Sequence, residues 1–205
     1  MVILLATASV VCAEAAIILN DPGEPIFTIV AAPGTPGAFR YEDLNDDGID
    51  DLKFVVVSAS FSVGRAEGTG SMIAASVVNS AQPLAAGAVI GGDPSSGGFG
   101  LWDVGTIPVT GILLESCLGG CFGEWVDSFG DGVRAYLGVR FEAEDGTHFG
   151  WVDLETSGRG VGGYVWRYAY ESEPGVPIVA GAIPEASTIL LILLGLALLA
   201  VRRRG

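Results

Sequence analysis

Between Asn20 and Gly181 the chain shows no helical period. Short apolar or alternating runs recur instead, separated by Gly, Pro, Asp and Ser. Such runs predict strands over residues 26–31, 52–61, 71–78, 133–141, 148–154 and 164–170. Alternation is clearest in 133–141. There Val133, Ala135, Leu137, Val139 and Phe141 share one face, and Arg134, Tyr136, Gly138 and Arg140 share the other. Glu144-Asp145-Gly146-Thr147 then predicts a hairpin turn with Asp-Gly at its centre. Many short strands with turn signals between them predict an all-β fold, an antiparallel β-sandwich of jelly-roll-like form. Residues 93–98 read as a loop. Gly158, Gly160, Gly162 and Gly163 precede a strand, not a helix, and read as turn and strand-start residues.

Two longer apolar runs fall outside this pattern. Residues 2–11, followed by Ala13-Glu14-Ala15, have the form of a signal peptide, with cleavage expected after Ala15. Residues 189–201 are apolar all round and end in Arg202, Arg203 and Arg204. At about 1.5 Å per helical residue they cover roughly 20 Å. The hydrocarbon core is about 30 Å thick, and the flanking residues with snorkelling arginines make up most of the difference. A C-terminal transmembrane helix is therefore expected, with the arginines stopping it on the cytoplasmic side. The chain divides into a signal peptide (1–15), a β-sandwich domain (16–180) and a tail (181–205).

The order of that tail, Pro184-Glu185, apolar helix and terminal arginines, resembles the PEP-CTERM sorting signal of Gram-negative bacteria. Ala186 stands where that signal commonly has a second proline. The resemblance implies that a membrane protease-transpeptidase, exosortase, recognises Pro184, Glu185 and Ala186 and removes the tail. It implies an exported protein, held first in the inner membrane by its C-terminal helix and then released to the cell surface or beyond. It also implies an exopolysaccharide-producing host, so extracellular polysaccharide is an expected partner. Residues 136–141, 148–152, 166–171 and 174–178 look like the β-rich region that often precedes this signal in one group of such proteins. Phe149 stands in place of a tyrosine there, and Arg167 and Tyr168 split a Trp-Ala pair. These aromatics read as core and cross-strand packing groups, or as a platform for a sugar ring.

The net charge is −14. Such a surface repels nucleic acid and anionic headgroups, and suits an extracellular protein or one that gathers divalent cations. Six carboxylates crowd into residues 42–51. Within them Asp43, Asn45, Asp47, Ile49 and Asp51 follow the spacing of a calcium loop. Alternate oxygen side chains and the Ile49 carbonyl would wrap Ca²⁺, and Gly48 would allow the turn. Phe54 occupies the place of the closing glutamate, so the helix-flanked version is excluded. The other reading is a solvated Asp/Asn turn between strands. Cys117 and Cys121 are the pair left once Cys12 goes with the signal peptide, and outside the cytoplasm a small disulfide loop is expected. Zinc would need more ligands than the single histidine, His148, and this pair. Glu142 and Glu144 are acids of the type a glycosidase uses, but no spacing selects a pair and one histidine limits triads. The expectation is a non-enzymatic surface or matrix protein; a calcium-stabilised carbohydrate-binding or adhesion module is the alternative, and a secreted hydrolase stands third.

Overall fold

The computed structural model describes residues 15–30, 37–57, 60–66, 69–75, 80–103, 112–117, 120–122, 124–125, 132–157 and 162–184; over 112–117 and 120–122 the backbone alone is described. The strands begin with β1 (Ile17–Asn20), β2 (Phe27–Val30), β3 (Ala38–Glu42), β4 (Leu52–Val57), β5 (Ser60–Arg65), β6 (Met72–Ala75) and β7 (Val89–Ile90). A single helical turn, α1 (Pro94–Gly97), comes next. Then follow β8 (Leu101–Asp103), β9 (Ile112–Cys117), β10 (Gly120–Phe122), β11 (Arg134–Ala143), β12 (Gly146–Thr156), β13 (Gly162–Glu171) and β14 (Ile178–Val179).

The strands form a seven-stranded sheet in the order β1-β13-β12-β11-β6-β8, with β2 also on β13, and a five-stranded sheet in the order β10-β9-β5-β4-β3. A short ladder joins β14 to β7. Every pairing is antiparallel. Among the described residues no helix is long and apolar enough to cross a membrane; the predicted spanning segment and the signal peptide lie outside the described residues.

The main core lies between the two larger sheets. Phe54, Val56, Phe61 and Val63 meet Leu137, Val139, Phe141, Val152, Leu154 and Val165 there. Each such side chain contributes about 1.5–3 kcal/mol on leaving water, so this layer holds the sandwich-like pair together. The larger sheet is covered on its other face as well. Leu84, Ile90, Phe99, Phe149, Trp151 and Ile178 form a second cluster under the β7–β14 ladder. Double coverage explains why β12 is buried at nearly every position. Gly138 faces this cluster, and a Cβ there would lie 3.0 Å from Ala74 and 3.1 Å from Leu84. A side chain at 138 would push the second layer away.

Several expectations shift. The predicted strand 52–61 is two strands, β4 and β5, paired as a hairpin with Val57 opposite Ser60. Both halves carry strand-forming residues, so the apolar run hides the reversal. In the β11–β12 hairpin Ala143 pairs with Gly146, which leaves Glu144-Asp145 as the turn; Gly146 (φ 140°) follows it as the first strand residue. Residues 93–98, read as a loop, include one helical turn. Asp93 caps it, accepting from the backbone N–H of Ser95 (3.0 Å), Pro94 opens it, and Gly98 in the left-handed region (φ 76°) ends it. The glycines before β13 fit their predicted role where described. Gly162 (φ 139°) lets β13 lie close against β2, where a Cβ would strike the Ile29 carbonyl.

Candidate functional site

Residues 43–51 are the loop of the β3–β4 hairpin, closed by Glu42 opposite Leu52. All five residues predicted to hold calcium therefore sit on one loop between two ladder ends. Asp43 organises it. Its Oδ1 accepts from the backbone N–H of Asn45 and of Asp47, both at 3.3 Å, and its Oδ2 from that of Gly48 at 2.7 Å. Asp47 Oδ1 accepts from Ile49 N–H at 2.8 Å, and Asn45 Nδ2 donates to Asp47 Oδ2 at 3.0 Å. Asp46 (φ 58°) and Gly48 (φ 87°) take the left-handed turns this wrapping requires. Asp46, Asp47, Ile49 and Asp50 are exposed, whereas Leu44 is buried in the main core and pins the loop.

Asp51 differs from the other four predicted ligands. It is 3% exposed. Its Oδ2 accepts from Leu44 N–H at 3.0 Å, and its Oδ1 accepts from the Ser71 hydroxyl at 3.2 Å. Ser71 lies just ahead of β6, so this carboxylate ties the loop of one sheet to the start of a strand in the other. Burial pushes Asp51 up to about 6; the Leu44 and Ser71 hydrogen bonds oppose the rise, and Asp43 and Asp47 add to it. Burial also raises Glu42, against the pull of Arg40. Burial, with Glu42, Asp46 and Asp43 nearby, raises the Tyr168 hydroxyl to about 12. Among the described residues no group of three or more His, Cys, Asp or Glu side chains stands together as a metal site.

Two hollows flank the loop. One, of about 270 Å³, is lined by Asn20, Asn45, Asp46, Tyr168 and Tyr170 among others. The other, of about 250 Å³, reaches Asn45, Asp145, His148 and Tyr170. His148 is buried at 3%. Its Nδ1 lies 2.7 Å from the Glu171 carbonyl oxygen and its Nε2 lies 2.8 Å from Asp145 Oδ1. Both ring nitrogens thus face oxygen atoms, which fixes the orientation of the ring. The same hydrogen bond holds the Asp145 carboxyl below its usual range.

The β9–β10 register pairs Cys117 with Gly120 and Ser116 with Cys121. The two cysteines thus stand one step out of direct opposition along the hairpin; their side chains lie outside the described residues. Trp151, Phe149 and Tyr168 are buried, as packing groups should be, while Tyr164, Trp166 and Tyr170 keep part of their surface. Sequence reading passed over Asp153, which is buried at 3% and bound by both Arg134 and Arg167. Its signal was an acid set inside the apolar run 149–154. It passed over the Asp51–Ser71 tie as well, which no local pattern foretells.

Beyond β14 the chain makes a last turn, with Ala182 N–H donating to the Val179 carbonyl at 2.9 Å. Ile183 and Pro184 are exposed. Glu185, Ala186, Arg202, Arg203 and Arg204 lie outside the described residues. An antiparallel two-sheet domain followed in sequence by a Pro-Glu motif, an apolar run and an arginine block has the layout of an exported protein with a C-terminal sorting tail. The family model for the PEP-CTERM protein-sorting motif matches residues 182–204, so the chain carries a PEP-CTERM sorting motif over that segment. Comparison with curated proteins gives no match, and neither does comparison with solved structures. The sorting motif is a substrate signal for exosortase and implies an exported, membrane-anchored precursor processed to the cell surface.

Proposed function

We propose that this protein is a non-enzymatic component of the cell surface or extracellular matrix, cut by exosortase at Pro184-Glu185-Ala186. One observation carries the reading. The sorting motif begins at residue 182, where the last strand and its closing turn end, and Ile183 is 53% exposed. A protease reaches such a segment without unfolding the domain. Intact mass of the surface-associated protein is expected to lack Arg202, Arg203 and Arg204. The complete tail on mature protein would overturn the reading and leave a plain membrane anchor. Exopolysaccharide around the cell is the expected surrounding of the released domain.

A second reading concerns the acidic loop. Asp43 draws three backbone N–H groups inward while Asn45 and Asp47 turn side chains toward one another. This wrapping keeps Asp43, Asn45, Asp47 and the Ile49 carbonyl on one turn, and they are the proposed Ca²⁺ ligands. Asp51 sits behind them, and its hydrogen bonds to Leu44 and Ser71 compete with direct ligation. The ion would offset the mutual repulsion of the carboxylates and stabilise the fold without taking part in any reaction.

A further inference from the structure

Away from the acidic loop, three adjacent strands converge on one carboxylate. Asp153 of β12 accepts from Arg134 of β11 through Nε (2.8 Å) and Nη2 (3.0 Å), and from Arg167 of β13 through Nε (3.0 Å). A buried carboxylate is costly unless it is fully paired, and here the pairing fixes two guanidiniums in place. Arg167 Nη1 also donates to Asp21 Oδ2 at 3.2 Å. The register slips beside this cluster. Asp153 faces Arg167, the next residue Leu154 faces Val165, and Trp166 is the extra residue of a bulge. A bulge suspends the alternation of faces, so the consecutive residues Trp166 and Arg167 both line one cleft. That cleft has a volume of about 300 Å³ and is bounded by Asp21, Gly23, Glu24, Arg134, Trp166 and Arg167. The indole is fixed too. Its Nε1 donates to Glu155 Oε2 at 2.8 Å, and the Arg134 guanidinium lies 4.2 Å from the ring centroid.

The charges select the ligand. Two guanidiniums stand among the carboxylates of Asp21, Glu24, Glu155 and Asp153. The surplus of negative charge disfavours a free anion, and the guanidiniums disfavour a cation. A neutral ring bearing several hydroxyls suits both sets. It donates to the carboxylates, accepts from the guanidiniums, and would rest its C–H face on the side of the indole away from Arg134. We infer that this cleft binds a neutral saccharide unit. The inference deepens the expected encounter with exopolysaccharide but stands on the cleft alone, and binding is measured independently of tail processing.

The test is calorimetric titration of the full-length chain, in a detergent without a sugar headgroup. Neutral gluco-, manno- and galacto-oligosaccharides are compared with oligogalacturonate, sulfate and spermidine. At least one neutral oligosaccharide is expected to bind saturably at concentrations up to about 10 mM, enough to fill a site with a Kd of about 1 mM. Trp166→Ala is expected to weaken it about tenfold or more. Glu24→Gln, at an exposed position, is expected to weaken it several-fold with unchanged melting, which separates a binding effect from a folding one. No neutral binding at these concentrations overturns the inference. So does binding of the charged compounds alone, or neutral binding that both variants leave intact.

Discussion

In metal-free buffer, replacing Asp51 by Asn is expected to stabilise the fold at neutral pH and to leave it nearly unchanged in acid. Asn keeps the shape. Its carbonyl accepts from Leu44 N–H and its amide donates to the Ser71 hydroxyl, so both ties to the buried carboxylate survive. What disappears is the ionised form. The folded protein holds the Asp51 proton up to about pH 6, against an ordinary value of 3.8. Below the ordinary value both states are protonated, and the group's favourable contribution is fully present. As pH rises through the folded value, that contribution is lost. At about 1.4 kcal/mol per pH unit the loss approaches about 3 kcal/mol, and water at the loop's edge lowers it to about 1–3 kcal/mol.

The measurement is thermal unfolding from pH 4 to pH 8 in EDTA, wild type beside Asp51→Asn. The variant's advantage should open between pH 4 and 6 and then level off. For a chain of this size it amounts to a few degrees in Tm, at about 2–4 °C per kcal/mol. A difference independent of pH, or a variant less stable than wild type at pH 7.5, refutes the account of Asp51 as a buried charge held by neutral donors. Calcium extends the test. If Asp51 is a tie and not a ligand, the variant keeps the wild type's response to calcium.

The remaining loop residues divide in the same assay. Asp47→Ala should abolish any rise in melting with calcium and Asp46→Ala should largely preserve it; at millimolar calcium the rise is about 0.4–1.4 kcal/mol for a Kd of roughly 10⁻⁴–10⁻³ M. If both variants respond alike, the loop is an acidic turn. Thiol labelling of denatured, unreduced exported protein should find Cys117 and Cys121 blocked, and two free thiols per chain would refute their pairing; the gain from so short a loop is on the order of 2 kcal/mol or less. Asp153→Ala should lower stability by about 1–3 kcal/mol, because it removes the acceptor that two partly exposed guanidiniums share, and urea denaturation reads this directly.

Strands 133–141, 148–154 and 164–170 were legible because they cross the middle of the larger sheet, where long runs of strand-forming residues leave little choice. Two short ones, β2 and β6, fall inside the predicted runs 26–31 and 71–78, but others were missed. β1, β3 and β14 are edge or ladder strands held by backbone pairing with β13, β4 and β7, and at four, five and two residues they are too short to reveal a period. Alternation in 133–141 correctly grouped Leu137, Val139 and Phe141 toward the main core. It gave no sign that Tyr136 and Gly138, on the opposite face, are covered by a second layer. That layer comes from residues 84–102 and 178–182, far off in sequence, so nothing local to 133–141 announces it.

The candidate sites divide along the same line. The acidic loop was legible since all its members lie within nine consecutive positions whose spacing is itself the chemical signal. The saccharide cleft was not, for two reasons. Arg134, Asp153 and Arg167 come together only through the β11–β12–β13 register. The bulge then breaks the rule that neighbours on a strand face opposite ways, which is what brings Trp166 and Arg167 into one cleft. Read by alternation, one of the two would belong to the interior. A buried acid within an apolar strand, with arginines on the strands that will flank it, is the trace such a cluster leaves in sequence. It becomes readable once strand order is known, because only then do the three positions share a face.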